Sequence, residues 1–309
     1  MIRAILSKII LVISRILIKL RLNSRVINQL NKLRSEAHKI DNHKNIIGKL
    51  IENRKLVALD VGAQGGFFNG SIFSEKYNTF FEPIVVEPIP NEAEKLISQN
   101  YKVISKGLWS KICNKKLYLL ENRPGSSSMY KPDKNVLNLY GFKKKDFSLF
   151  NVTKEIEVEC TTIQESLTSF EFKNLDFLKI DTQGSELEIL KGLGEYFPLM
   201  MKIEVQIIPM YENVPSWTES LNYLYNMNYM SCEWITIGKH STRTPAEMDM
   251  IFIPNYLTEF GEKIILSREN KFVSLMLIFG QIKLLQTISE KLNFSTNLEV
   301  QKLSDKFFH

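Results

Sequence analysis

The chain has 309 residues, of which 44% are hydrophobic and 24% are charged, and this balance predicts a folded globular protein and excludes a disordered one. The formal net charge of +6 is unevenly distributed, because residues 1–55 alone carry a net of +10 and the remainder a net of −4. A nucleic-acid-binding surface on the main domain is therefore not expected. The three cysteines, Cys113, Cys160 and Cys232, form no C-x-x-C pair, so the sequence predicts neither a zinc knuckle nor a disulfide framework. A reducing, cytoplasmic setting fits best.

The N-terminal 50 residues are interpreted as a basic helical arm. Residues 1–34 contain eight Lys or Arg and no acidic residue. Apolar side chains recur there at helical spacing, and the longest charge-free run, residues 9–14, is far shorter than the roughly 20 residues of a membrane-spanning helix. These residues contain no evident small-residue cleavage site, so a secretory signal is not expected. Two uses stay open: peripheral contact of residues 1–34 with the inner face of a membrane, or packing on the domain or on a partner chain.

The next informative feature is an apolar run, residues 56–61, that contains Asp60 and leads into a glycine-rich turn with Gly62 and Gly66. A second apolar run, residues 84–86, also ends in an acid, Glu87. Such a turn lets a nucleotide-like ligand approach bare backbone, and the second acid can accept hydrogen bonds from ribose hydroxyl groups. The pair therefore predicts a nucleotide-type cofactor, with a ligand-free strand–loop–helix corner as the alternative.

The turn favours S-adenosylmethionine over a dinucleotide. Gln64 stands where the dinucleotide pattern G-x-G-x-x-G requires its second glycine. The Asp60 carboxylate would repel a pyrophosphate, whereas it suits the ammonium and sulfonium charges of S-adenosylmethionine. An NAD-dependent enzyme is retained as a less favoured alternative.

Further along the chain, strands alternate with helices, which predicts an α/β fold with a mostly parallel sheet. The last two predicted strands are separated only by a loop, which predicts one antiparallel strand near the end. Residues 122–145 are polar and are interpreted as a long loop, and the tail beyond Asn255 as helical, packed on the domain or in a homodimer. We predict three parts: the arm at 1–50, a cofactor-binding domain at 51–255 and a helical extension at 256–309. The predicted strands after the turn are 84–87, 101–105, 115–120, 156–158, 175–181, 200–207, 229–237 and 249–253. The predicted helices include 91–99 with Asn91 as N-cap, 185–191 with a Ser185/Glu188 capping box, and 217–226.

Residues 178–192 form a second informative segment, in which Asp181 stands at the carboxyl end of a predicted strand. Ligands bind at this edge of a parallel sheet. Together with the D-V-G-A turn at Asp60 and the acid Glu87, the motif K-I-D-x-x-G-x-E at residues 179–186 resembles the FkbM-type S-adenosylmethionine-dependent O-methyltransferases. The resemblance covers roughly residues 56–255 and includes the strand at 202–205 and the serine-bearing loop at 125–128.

The resemblance implies a Rossmann-like class I methyltransferase sheet with S-adenosylmethionine as the cofactor. It assigns the methionine part of the cofactor to Asp60, Gly62 and Gly66, the ribose to Glu87 and the adenine to backbone near Leu108. The acceptor would be a hydroxyl group of a sugar, a glycan or a secondary metabolite. A non-catalytic interaction module with a degenerate site is the alternative.

Three residues are candidates for the acceptor side. Asp181 comes first and Glu204, on the next strand, second. His240 follows the strand at 229–237 and is a candidate general base, with an exposed loop histidine as the alternative. An oxygen-ligand site for a divalent ion at Asp181, Glu186 and Glu204 is a less favoured possibility, because the cluster contains no histidine.

Overall fold

The computed structural model describes residues 9, 12, 43–52, 54–63, 65–67, 73, 75–237 and 245–296. The chain divides into two compact units, the larger comprising residues 55–70 and 81–267, and the smaller comprising residues 1–54, 71–80 and 268–309. Most of the predicted arm lies outside the described residues, so the three-part division at residues 50 and 255 remains a prediction.

The described residues contain ten strands and eight α-helices, with short 3₁₀ helices between them. The strands are β1 (Leu56–Val61), β2 (Phe81–Val86), β3 (Lys102–Ile104), β4 (Gly107–Leu108), β5 (Cys113–Leu119), β6 (Lys154–Thr161), β7 (Phe177–Ile180), β8 (Met200–Gln206), β9 (Tyr229–Thr236) and β10 (Glu247–Pro254). The helices are α1 (His43–Ile51), α2 (Pro90–Ser98), α3 (Ile163–Ser169), α4 (Glu186–Lys191), α5 (Trp217–Asn226), α6 (Glu259–Ser267), α7 (Glu269–Ile278) and α8 (Ile282–Leu292). The 3₁₀ helices are Glu75–Phe80, Pro124–Ser126, Lys134–Val136 and Lys144–Phe150.

A seven-stranded sheet in the order β3-β2-β1-β7-β8-β10-β9 forms the centre of the larger unit. All pairings are parallel except those of β10, which runs antiparallel to both β8 and β9. All six residues of β1 are buried, as expected for a central strand of a parallel sheet that is covered on both faces. The predicted α/β fold, with a mostly parallel sheet and one antiparallel strand near the end, is therefore confirmed.

A three-stranded sheet, β4-β6-β5, lies between β3 and β7 in sequence. β5 is antiparallel to β6 and β4 is parallel to it. The connection from β5 to β6, residues 120–153, includes the long loop predicted at residues 122–145. It contains three of the short 3₁₀ helices and buries apolar side chains of its own. The buried members of this cluster are Leu120, Leu137, Tyr140, Phe150, Met210, Tyr211 and Ala246.

Two predicted helix caps are wrong. α2 begins at Pro90 after Ile89, without a side-chain cap, although Asn91 was the predicted N-cap. Proline suits the first helical position, because the N–H it lacks would have no partner within the helix, so α2 begins at Pro90. The predicted capping box of α4 does not form, since Ser185 makes no cap hydrogen bond and Glu188 instead accepts from Ser110 and Lys191.

The smaller unit is helical where it is described. Helix α1 packs on α7, and α7 is buried from Phe272 to Ile278. The aromatic rings of Phe73 and Phe279 meet edge to face at 5.6 Å. The predicted helical tail is thus observed as α6, α7 and α8. In the part of the chain that the structure describes, no helix combines the length and apolarity needed to cross a membrane.

Candidate active site

The ends of four adjacent strands meet at the carboxyl edge of the large sheet. Val61 of β1 is in register with Val86 of β2 and with Ile180 of β7, which is in turn in register with Ile203 of β8. The residues that follow these positions are Gly62, Glu87, Asp181 and Glu204. Open α/β sheets bind their ligands at this edge, so the structure brings four of the predicted site residues to one place.

The turn after β1 can be built only with glycine. Gly62 has φ +87°, and a Cβ atom at this position would lie 1.9 Å from the Asp181 carbonyl oxygen. The Asp181 N–H donates to the Val61 carbonyl at 3.0 Å, so the turns after β1 and β7 touch through their backbones. Gly66 has φ +106°, and a Cβ atom there would lie 3.0 Å from the hydroxyl of Tyr101. Glycine is required at both positions because Asp181 and Tyr101 take the space that a side chain would need.

Asp60 is held in a buried ion pair. Its side chain is 1% exposed, and the Lys179 Nζ donates to its Oδ1 at 2.9 Å from the register-matched position on β7. Burial raises the pKa of Asp60 and the Lys179 charge opposes this rise. Burial by itself would lower the pKa of Lys179, but the charges of Asp60 and Asp181 outweigh it and the net shift is upward. The second oxygen of Asp60, Oδ2, has no hydrogen-bond partner among the described residues.

Glu87 lies directly after β2, where the resemblance places the ribose acid. Its Oε1 accepts the Ile89 N–H at 2.9 Å, which fixes the side chain at the strand end. Burial raises the pKa of Glu87. Leu108 lies in β4, and its side chain is buried in the main core, so it can offer a ligand only its backbone. The cofactor roles of these residues remain predictions.

Gln183 connects the acceptor-side residues, although the sequence patterns did not single it out. Its amide nitrogen donates to Asp181 Oδ1 at 3.1 Å and to Glu204 Oε1 at 2.7 Å. Its amide oxygen lies 3.1 Å from the Tyr211 hydroxyl, and its backbone carbonyl accepts from the Ser128 hydroxyl at 2.7 Å. The residue has φ +61°, an unusual conformation for a non-glycine residue that is concentrated at functional sites. We refer to Asp181 and Glu204 as the carboxylate pair.

The environments of the carboxylate pair differ. The Asp181 side chain is 29% exposed, and its Oδ2 lies 3.8 Å from the Lys179 ammonium group. Burial, together with the negative charge of Asp181, raises the pKa of Glu204 well above its ordinary value. One carboxylate is therefore accessible to a ligand, and the other is buried among like charges.

Two strands add further charges to the same face of the sheet. The Lys202 Nζ lies 2.8 Å from Asp249 Oδ2 in a buried ion pair between β8 and β10. Burial raises the pKa of Glu247 on β10 to about 7, with a contribution from the Asp181 charge. The signal that could have revealed these residues is charge at every second position of otherwise apolar strands, as in 202–206 and 247–249.

Glu186 of the motif and Ser126 of the serine-bearing loop have structural roles. The Glu186 Oε1 accepts hydrogen bonds from the Thr182 N–H, the Thr182 hydroxyl and the Gly184 N–H, so it fixes the turn after β7. In the serine-bearing loop, the Ser126 carbonyl accepts a hydrogen bond from the Tyr211 hydroxyl at 2.8 Å. The loop is thereby anchored to the network around Gln183.

His240 and Gln64 lie outside the described residues, so the roles predicted for them remain untested. Among the residues that are described, no three His, Cys, Asp or Glu side chains are grouped so as to hold a metal ion. The site does suit the predicted cofactor, because the orphaned Asp60 Oδ2 and the bare turn at Gly62 are the features that a cationic amino-acid group needs.

Known proteins resemble this chain to different degrees. Methyltransferase sdnD of Sordaria araneosa is 25% identical over 169 residues, which cover 48% of this chain and 64% of that protein. The chain therefore spans less than two thirds of the curated relative that it matches.

The solved structures that match this chain share little sequence with it. TrmK of M. capricolum, in complex with the cofactor product S-adenosylhomocysteine, has a TM-score of 0.31 and 15% identity, covering 87% of this chain and 96% of that one. MtNAS, in complex with MTA and tNA, has a TM-score of 0.29 and 10% identity, covering 69% of this chain and 61% of that one.

The profile of the methyltransferase FkbM domain matches residues 60–231, which is more than half of the chain. The match begins at Asp60 and includes Glu87, Asp181 and Glu204. The domain is thus a methyltransferase domain whose cofactor is S-adenosylmethionine, and the chain belongs to the FkbM methyltransferase family.

Proposed function

We propose that the protein is an O-methyltransferase that acts on a hydroxyl group of a sugar, a glycan or a secondary metabolite. The observation that carries the proposal is the carboxylate pair, which one amide, that of Gln183, holds beside the glycine turn after β1. Methylation of a hydroxyl group requires removal of its proton, and a positioned carboxylate is a suitable base. The acceptor class itself rests on the family resemblance.

The cofactor supplies a methyl group bound to a positively charged sulfur. The chain's own part is to orient it: the Asp60 carboxylate and the backbone of Gly62 and Gly66 would hold the methionine part, and Glu87 the ribose. Asp60 and Lys179 are already paired and desolvated, so little reorganisation accompanies binding.

The proton of the acceptor hydroxyl would pass to the carboxylate pair. Asp181 is the more exposed member and is the candidate catalytic residue that touches the acceptor. Glu204 has the raised pKa that brings a carboxylate closer to the operating pH, as an efficient general base requires. Reactive groups held at about 3 Å account for much of the rate enhancement in such transfers.

The negative charge of the site also restricts which acceptors can bind. Five carboxylates, those of Asp60, Asp181, Glu204, Glu247 and Asp249, share one face and edge of the sheet with two lysines. An acceptor with a phosphate or carboxylate next to the reacting group would be repelled. A neutral hydroxyl-bearing ring meets no such cost.

The proposal is tested with methyl-labelled S-adenosylmethionine and a panel of neutral sugars, nucleotide-activated sugars, phenols and amines. We expect methyl–oxygen products, identified by their methoxy resonances. Asp181→Asn should keep cofactor affinity and lose turnover, whereas Asp60→Asn should lose both. Methylation of amines alone would refute the hydroxyl acceptor. Calorimetric binding of NAD in place of S-adenosylmethionine would support the dinucleotide alternative.

We also propose that the basic segment at residues 1–34 contacts anionic membrane surfaces. Its eight positive charges, without an acidic residue, support this proposal, because each Lys or Arg near such a surface contributes about 1 kcal/mol. Full-length protein should co-sediment with vesicles that contain phosphatidylserine, and a variant without residues 1–34 should not. Equal recovery of both proteins in the supernatant would exclude this contact.

A further inference from the structure

Two of the three cysteines face each other across the small sheet. Cys113 of β5 is the direct register partner of Cys160 of β6 in an antiparallel pair. Both are free thiols, and the Cys113 side chain contributes to the raised pKa of the Cys160 thiol. Directly opposed residues in such a pair have Cα atoms about 4.5–5.5 Å apart, which lies within the range of about 4.4–6.8 Å that a disulfide spans.

We propose that Cys113 and Cys160 form a reversible disulfide, which makes this pair a redox modification site. The two cysteines stand at directly opposed positions of strands that are already hydrogen-bonded in register, so the bond requires no new strand pairing. Cys232, the third cysteine, lies on β9 of the other sheet, so it has no such partner.

The chemistry is a thiol–disulfide exchange with a small-molecule disulfide, such as oxidised glutathione. Cys113 is half-buried and reacts first: its thiolate attacks one sulfur of the oxidant, a mixed disulfide forms and one glutathione thiolate leaves. Cys160 then loses its proton and attacks the Cys113 sulfur, which expels the second glutathione. Two thiols are oxidised, and one oxidised glutathione becomes two reduced molecules.

Burial explains this order of attack. Cys160 is buried, and burial raises the pKa of its thiol to about 12. Only a small fraction of this thiol is therefore present as the reactive thiolate at neutral pH. Its attack becomes effective only when the activated sulfur is held opposite to it. Because the buried thiol reacts intramolecularly, a stable glutathione adduct on wild-type protein is not expected.

The positions of Cys113 and Cys160 predict how their disulfide would affect the segment between β5 and β6. β5 and β6 are the two strands between which the chain makes its long excursion through residues 120–153. That excursion carries Ser126 and Ser128, which contact Tyr211 and Gln183. The excursion leaves the β5–β6 ladder at the Leu119–Lys154 pair, whereas Cys113 and Cys160 pair at the opposite end of that ladder. A Cys113–Cys160 bond would therefore enclose the whole excursion in one covalent loop. Because such a loop restricts the unfolded chain, oxidation should raise the thermal midpoint.

Intact-mass analysis and peptide mapping of the full chain, equilibrated in glutathione buffers of increasing oxidised fraction, test the proposal. Wild type and Cys232→Ser should each lose two hydrogen atoms, with the link mapped between Cys113 and Cys160 and reversed by dithiothreitol. Cys160→Ser should instead accumulate one glutathione adduct on Cys113.

A second measurement compares the thermal midpoints of the oxidised and reduced forms, and the oxidised wild type should unfold at the higher temperature. Wild-type protein that keeps three free thiols in the most oxidising buffer would overturn the proposal. So would a link to Cys232 or one formed only between two chains. These results do not depend on methyl transfer, so failure here would leave the proposed function untouched.

Discussion

Replacing Gly62 with alanine should disable the cofactor turn, and the size of the effect can be worked out from the geometry. The new Cβ atom would lie 1.9 Å from the Asp181 carbonyl oxygen, whereas real Cβ contacts essentially never fall below 3.0 Å, so one of the two turns must move by at least the difference. A non-glycine residue at this positive φ costs about 1–2 kcal/mol, and overpacking adds about 1–3 kcal/mol. We therefore expect the free energy of unfolding to fall by about 2–5 kcal/mol.

Thermal unfolding followed by circular dichroism and calorimetric titration with S-adenosylmethionine measure the two consequences. A loss of this size corresponds to a decrease in the thermal midpoint of roughly 3–8 °C in a chain of this size. A displacement of about 1 Å at a reacting centre can cost about 100-fold, so cofactor affinity should fall by at least about tenfold.

The matched control is the same exchange at Gly48, in the middle of α1. A Cβ atom there would meet only the Phe80 ring, at 3.9 Å, which is an ordinary contact. Alanine is favoured over glycine inside a helix by about 0.5–1 kcal/mol, so Gly48→Ala should be neutral or stabilising and should bind the cofactor normally. If Gly62→Ala behaved like this control in both assays, the contact between the two turns could not be what fixes the cofactor site.

Three further changes probe the charges of the site. Lys179→Met should lower the free energy of unfolding by about 3–5 kcal/mol, since it leaves the Asp60 carboxylate buried without its partner. Adding Asp60→Asn should recover most of this loss, as measured by thermal unfolding. Gln183→Glu should abolish turnover at neutral pH through repulsion of the carboxylate pair, restore part of it in mildly acid buffer, and leave calorimetric cofactor affinity unchanged. Because folding raises the pKa of Glu247 from 4.5 to about 7, the native protein holds a proton that the unfolded chain releases, so stability should fall as the pH rises through this window and Glu247→Gln should flatten the fall.

Each of these predictions has an outcome that contradicts it. A double variant no more stable than Lys179→Met would show that the unpaired carboxylate is not the source of the loss. A pH–rate profile of Gln183→Glu parallel to that of wild type would remove the positioning role of the glutamine. Chemical denaturation that shows the same pH slope with and without Glu247 would indicate that another group takes up the proton.

The large sheet could be predicted because its signals are local. The strands near residues 56, 84, 178 and 200 are short apolar runs, and acids follow several of them at the edge where ligands bind. The single antiparallel strand was also predictable, since only a loop separates the last two strands. The positions of Asp60, Glu87, Asp181 and Glu204 at one edge then follow from parallel pairing alone.

The network that organises the site could not be predicted in this way, because its contacts join residues far apart in the sequence. Lys179 meets Asp60 across 119 positions, and Tyr211 meets Ser126 across 85. Gln183 lies in a turn whose left-handed backbone, at φ +61°, is unusual for glutamine, so no local preference points to it. The same reason applies to the excursion at residues 120–153, whose polar composition concealed apolar side chains that pack against Met210 and Tyr211.

The two buried ion pairs, Asp60–Lys179 and Lys202–Asp249, need an explanation other than stability. Well-packed apolar residues in their place would be at least as stable, because the desolvation of both charges offsets their attraction. Their advantage lies in electrostatics at the sheet edge. Lysines held in place neutralise part of a dense carboxylate cluster and still leave the Asp60 Oδ2 atom without a partner among the described residues. A positively charged methyl donor then meets dipoles and charges that are already oriented, and this preorganisation stabilises charge redistribution more effectively than water, which must reorient.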